Sequence, residues 1–240
     1  MNDNIADDLP EVHLADVQQP LEPVQGMSVW ARMRLSFRDM RAAVRDLIDE
    51  VPSEPRLLFF VLLSDVIFFL SFGVRLVVSP SALITDLMNR LPPAIASSSL
   101  GISLVGILMI RTMLMYIFSA VVCIVCRIFG GRGGFRDTRA GVFWASLVAA
   151  PVGVIGAAIG AGFAHLEPDF PFLASPLFAW PPLLIGIIAF VYFISAAVAE
   201  AQRFTRTSPV FIIFSVLTVI LLIGTMIGVE MLVARLGLNA

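Results

Sequence analysis

Two cysteines, Cys123 and Cys126, stand three residues apart near the end of a long apolar run. On a helix that spacing puts both thiols on one face. Such a pair could cycle between dithiol and disulfide, or hold part of a metal site. A tetrahedral zinc site needs four ligands, and neither a histidine nor a second cysteine pair accompanies this one. The pair reads as small residues packed at a helix interface. His165, Glu167 and Asp169 place three hard donors within five residues, which a solvated loop accounts for. No metal is expected.

A second candidate is the stretch "RIFGGRGGFRDTRAG", Arg127 to Gly141, with five glycines and four arginines. A phosphate-cradling loop of the Walker type needs a lysine to reach the outer phosphates. All sixteen basic residues are arginine. A dinucleotide fingerprint needs a third glycine where Arg136 stands, and a strand before it. No nucleotide, nucleic acid or other cofactor is therefore expected. Gly130, Gly131, Gly133 and Gly134 read instead as a tight reversal using positive φ, a lipid-facing hinge. Two other glycine pairs, Gly156/Gly160 and Gly224/Gly228, have the four-residue spacing that lets membrane helices approach closely. Pro151 interrupts the run that contains the first pair. Contact within a bundle is favoured over dimerisation.

The third set is ionisable and sits inside or beside apolar runs: Asp65, Arg75, Arg111 and Glu200. A charge at mid-bilayer costs roughly 2.5–3.5 kcal/mol on insertion scales and seeks a partner or water. Counting 1.5 Å per residue puts Asp65 roughly 12 Å into its helix and offsets it by about 10 Å from Arg111. Long side chains would bridge that gap only in part. An Asp–Arg pair or a solvated polar pocket is the first reading, a proton or ion path the second. Arg75 reads as snorkelling to the interface. No serine nucleophile elbow and no His-Glu-x-x-His occurs, and His13 and His165 are the only histidines. No catalytic residue is assigned.

The elements that must carry these residues follow from composition. The chain has 240 residues, 58% hydrophobic and 14% charged. Soluble domains average about 45–50% apolar and about 25% charged, so a bilayer is the expected solvent. Residues 1–27 are acidic, proline-bearing and free of basic residues, the composition of a disordered tail. Over residues 28–52, Trp30, Met33, Phe37, Met40, Val44, Leu47 and Val51 recur at steps of three and four. That pattern predicts one amphipathic helix lying on the membrane. Arg32, Arg34, Arg38, Arg41 and Arg45 would project from its other faces.

Residues 57–235 carry five runs of the ~20 residues a span needs: Leu57–Ser79, Gly101–Cys126, Gly141–Phe163, Trp180–Ala199 and Pro209–Val233. Residues 91–105, with Pro92-Pro93 and three serines, read as re-entrant or interfacial. The fold class is an all-α bundle of about five spans. Arginines concentrate before the first run and in the second and fourth connections, which hold Arg132, Arg136 and Arg139, and Arg203 and Arg206. Positive loops stay cytoplasmic. The N-terminus is expected inside and the C-terminus outside, in a bacterial inner membrane. The exposed arginines are expected to meet anionic lipid or a membrane-protein partner, including a second copy.

Several of these pieces resemble the Yip family, Ypt-interacting membrane proteins with five spans and a cytoplasmic N-terminus. "GGRGGFRDTRAGVFWA" looks like that family's glycine-rich connection between its second and third spans. "VAEAQRFTRTSPVFIIF" looks like its basic turn between the fourth and fifth. "SFRDMRAAVRDLIDEVPSEPRLLFFVLL" is similar to the lead-in of bacterial members. The resemblance covers about residues 35–235. It implies the fold and topology, a non-catalytic role and no reaction. The Asp-Leu-Tyr-Gly-Pro segment of eukaryotic members is absent, so binding of a small GTPase is not carried over. A membrane-organising scaffold or assembly partner is the expected function, with a small transporter using Asp65 and Arg111 as the alternative.

Overall fold

In a lipid solvent every backbone N–H and C=O must find its partner within the chain, so an apolar run becomes a helix. The computed structural model describes residues 27–78 and 93–235 and follows this rule: every regular element there is helical. Residues 1–26 of the expected acidic tail, His13 among them, lie outside the described residues. Two short helices come first, α1 (Val29–Arg38) and α2 (Met40–Asp49). Five long ones follow: α3 (Glu54–Val78), α4 (Pro93–Ile128), α5 (Phe135–Leu166), α6 (Pro176–Ala201) and α7 (Ser208–Arg235). A short 3₁₀ turn, Pro171–Ala174, precedes α6.

Four segments among the described residues, in α4 to α7, are long and apolar enough to cross a membrane. With 25 residues, α3 also has the length. The expected runs thus fall on α3 to α7. One sequence expectation is corrected. Residues 93–105 neither re-enter nor break; they continue α4 as one 36-residue helix. The candidate span Trp180–Ala201 starts where the sequence run does, and Pro181 and Pro182 lie inside α6 because that helix already begins at Pro176. Pro93 is the first residue of α4, where a helix has no N–H bond to lose, whereas Pro181 and Pro182 each remove a backbone hydrogen bond from inside α6.

The helix expected over residues 28–52 is two helices. Asp39 is extended (φ −148°, ψ 93°), and its carboxylate accepts from the N–H of Ala42 at 3.0 Å. Asp is among the strongest N-caps, so α2 starts afresh and the apolar stripe is split. Met40, Val44 and Leu47 are fully covered, whereas Trp30 is 75% exposed and Phe37 52%. The α1–α2 hairpin is therefore a plug on one end of the bundle.

The best-packed region lies beneath this plug. Leu47 of α2, Phe60 of α3, Phe143, Trp144 and Leu147 of α5, and Ile194 of α6 are all buried. Phe60 meets Trp144 edge-on at 5.1 Å, a geometry aromatic quadrupoles favour. Lipid tails are as apolar as these side chains, so close van der Waals contact rather than hydrophobic burial must hold the spans together. Small residues provide it. A Cβ on Gly156 would overlap the carbonyl of Pro182, and one on Gly186 would come within 3.3 Å of Gly153. Gly156 and its neighbours thus join α5 to α6 within the chain. Around Gly224 and Gly228 of α7 nothing lies within 4 Å.

Candidate functional site

The ends of α3, α4, α5, α6 and α7 nearest the hairpin form a basic end. Its construction begins with two helix termini of one geometry. At the end of α4, Gly131 N–H donates to Cys126 C=O at 2.8 Å and Gly130 N–H to Arg127 C=O at 3.1 Å. At the end of α6, Phe204 N–H donates to Ala199 C=O at 2.8 Å and Arg203 N–H to Glu200 C=O at 2.9 Å. Both are Schellman caps, which need a left-handed residue after the cap. Gly130 (φ 87°) supplies it in one and Arg203 (φ 58°) in the other.

These caps are joined by Gln202, which is buried. Its side-chain oxygen accepts from Gly133 N–H at 3.2 Å, and its backbone oxygen from Arg132 N–H at 3.0 Å. Its amide donates to Thr138 Oγ1 and lies 3.6 Å from Cys123 Sγ. One glutamine therefore ties α4, the glycine loop, α5 and α6 together. The lipid-facing hinge expected of the loop is corrected. Of its glycines only Gly130 has positive φ. Gly131 and Gly133 are needed for closeness instead: an added Cβ would meet Cys126 O at 2.8 Å from Gly131, and the Ala201–Gln202 backbone from Gly133. Gly134 caps α5, its N–H donating to Asp137 Oδ2 at 3.2 Å. Cys123 and Cys126 are buried free thiols in this packing.

Arginines divide into two groups. The first fastens the plug. Arg32 is fully buried, paired to Asp46 at 2.7 Å and to Glu50, with its guanidinium 5.8 Å from the Trp144 ring. Trp144 Nε1 donates to Ser36 Oγ at 2.8 Å. A projecting, lipid-facing Arg32 is thus not what forms. The signal available was the pair Asp46 and Glu50 at helical spacing, a carboxylate fork facing α1. Arg41 and Arg45 reach Glu200 at 2.8 and 2.7 Å, and Arg41 also donates to Phe204 C=O at 2.7 Å. Hydrogen bonding to Glu200, with its negative charge, holds the Arg45 guanidinium above the ordinary arginine pKa. Glu200 is therefore a clamp at the basic end rather than a mid-membrane charge. Arg136 donates to the carbonyls of Val51 and Pro52, and Arg139 pairs with Glu54. The second group, Arg34, Arg38, Arg127, Arg132, Arg203 and Arg206, is exposed and makes no side-chain hydrogen bond or ion pair among the described residues.

Val51 (φ 52°) shares the left-handed conformation with Arg203. A β-branched residue there is strained by roughly 1–3 kcal/mol. Arg203→Gly and Val51→Gly are each expected to raise stability by about 1 kcal/mol. Thermal melting in detergent measures this. A fall in melting temperature in both variants would refute the strain.

Deeper in the bundle, Asp65 is fully buried and paired with Arg111, while Thr112 Oγ1 donates to its other oxygen at 2.9 Å. Arg111 Nη2 lies 3.4 Å from Ser146 Oγ, which is 2.8 Å from Ser64 Oγ. The 10 Å offset expected from counting residues is not there. Helix register is set by interdigitation, not by where each apolar run begins, and it brings α3 and α4 level at this pair. The backbone at Arg75 lies in α3, and its side chain is outside the described residues. Pro151 lies within α5, which continues through it. His165, Glu167 and Asp169 are exposed, and among the described residues no three His, Cys, Asp or Glu side chains cluster as metal ligands.

No curated protein and no solved structure matches this chain. The Yip1 domain profile matches residues 34–228. That interval starts in α1, takes in the plug, the glycine loop and the Schellman-capped turn, and ends in α7. The apolar helices and this match together make the chain an integral membrane protein that belongs to the Yip1 domain family.

Proposed function

We propose that this protein is a non-catalytic, membrane-organising scaffold whose working surface is the basic end, placed on the cytoplasmic side. The observation that carries the reading is the division of the arginines. One group is spent holding the plug, which leaves Arg34, Arg38, Arg127, Arg132, Arg203 and Arg206 exposed around it. Exposed Trp30 and Phe129 accompany them. Each arginine near an anionic surface contributes about 1 kcal/mol, screened over about 8 Å at physiological salt. A rigid plug that presents these charges together can gather anionic lipid and give an assembly partner a fixed platform.

The transporter reading is less well supported. Asp65 has both oxygens occupied and no exposed surface, and Glu200 is held by two arginines. A carrier needs its carboxylate open to water at some stage.

Reconstitution in nanodiscs tests the scaffold reading. Spin-labelled phosphatidylglycerol should associate with the wild type more strongly than spin-labelled phosphatidylcholine. Changing Arg34, Arg38, Arg132, Arg203 and Arg206 to Gln should abolish that preference and leave the melting temperature within a few degrees. A preference unchanged by the substitutions, or absent in the wild type at low salt, would reject it.

A further inference from the structure

Beyond the Asp65–Arg111 pair, on the side away from the plug, α3 to α7 line a half-open cavity of about 830 Å³. This is within the range of roughly 300–1,000 Å³ typical of small-molecule sites. Its lining runs along α5 from Gly153 to Ala164, about 16 Å at 1.5 Å per residue. Gly153, Gly156, Ala157 and Gly160 line it at the edge of the close α5–α6 contact. Phe163 and Phe178 line it further along, Phe190 lines its end nearer the plug, and Thr218 and Thr225 face it from α7. α7 rests mainly on α6, and Leu221 and Leu222 join the two threonines in forming its side of the cavity.

One charged donor reaches this space in the membrane interior. Arg111 lines the cavity, with 22% of its side chain exposed and its guanidinium 4.2 Å from the Phe68 ring centroid. A guanidinium has five N–H donors. Asp65 and Ser146 engage the two terminal nitrogens, and Nε has no protein acceptor among the described residues. The positive charge, however, is already balanced by Asp65. An anionic ligand would bring a second negative charge into hydrocarbon without a counter-ion, which is strongly unfavourable. The matching group is an uncharged acceptor oxygen.

We propose that this cavity binds an elongated, uncharged membrane lipid. Its carbonyl oxygen accepts from Arg111, and its hydrocarbon lies along the glycine wall of α5 and against α7. Two membrane-soluble sources share that chemistry, the acyl ester of a neutral glycerolipid and the ring carbonyl of an isoprenoid quinone.

The test uses purified full-length protein and three diazirine-bearing probes, a diacylglycerol, a quinone and a fatty acid ionised at the working pH. Labelled peptides are mapped by mass spectrometry. One neutral probe should label α5 between Ala157 and Ala164 and α7 between Thr218 and Thr225, saturably, and be competed by its unlabelled form. Which of the two does so identifies the source. Ala157→Phe and, independently, Leu222→Trp should fill the cavity and remove that labelling. Because saturation and competition are read in the wild type, misfolding of either variant leaves the test intact. Labelling spread over outward residues such as Ile124 and Ile128 without competition would overturn the proposal. Equal competition by the ionised fatty acid would overturn the uncharged-ligand assignment.

Discussion

Asp65→Asn is expected to cost the folded bundle about 3–5 kcal/mol, the usual cost of removing one partner of a buried ion pair. Asparagine keeps the shape and can still accept from Thr112. It cannot balance Arg111, which then stays charged in the membrane interior beside Ser146 and Phe68. Arg111→Gln should be damaging for the mirror reason, leaving the Asp65 carboxylate buried with only Thr112 to bond it. The double variant Asp65→Asn/Arg111→Gln removes both charges and should recover more than half of either loss. Melting temperature in a mild detergent, measured for all four proteins, decides this. Single variants as stable as the wild type would remove the pair as a structural element. Single variants that fold normally but lose a proton or ion flux would favour the transport reading.

Gly133→Ala is the second large effect. The new methyl would overlap the Ala201 carbonyl oxygen and lie 2.8 Å from its carbon and 2.9 Å from Gln202 Cα. All of these are backbone atoms inside a capped helix end, so no flexible side chain can give way. The loop must move, and moving it breaks the bonds from Gly133 N–H and Arg132 N–H to Gln202. Overpacking of this kind costs about 1–3 kcal/mol, and each buried donor left without a partner about 1–3 more. With the buried Gly133 N–H as that donor, a total of about 2–6 kcal/mol is expected, seen as a sharply lowered melting temperature or folded yield. Gly224→Ala is the internal control. Nothing lies within 4 Å of that position, and alanine is favoured over glycine inside a helix by about 1 kcal/mol, so it should stabilise. Equal effects at the two positions would show that the Gly133 contact with Gln202 does not hold the loop.

The long helices were legible because a bilayer leaves an apolar run little choice. The runs that start at Leu57, Gly141, Trp180 and Pro209 all fall on helices among the described residues, since an unpaired backbone group costs too much in hydrocarbon. The glycine loop and the arginine-rich turn were also recognisable as connections, and they carried the family resemblance. What each residue does there was not legible. Gly131 and Gly133 looked like conformational glycines, yet their role is to let the loop lie against Gln202, 69 positions away from Gly133. Gln202 itself carried no signal, because a lone polar residue beside a basic turn reads as solvated.

The plug separates the two kinds of information most clearly. A repeat of apolar residues at steps of three and four fixes which face of a helix is greasy, and says nothing about what that face meets. Asp39, an ordinary acidic residue in the pattern, ended one helix and began another. Once the chain folded back, Asp46 and Glu50 could draw Arg32 into the interior, and Arg41 and Arg45 could reach Glu200, more than 150 positions away. Local sequence decides which segments are helical, because backbone hydrogen bonds and hydropathy act over a few residues. Which charges end up buried and which remain exposed depends on contacts between distant segments, and so on the tertiary structure alone.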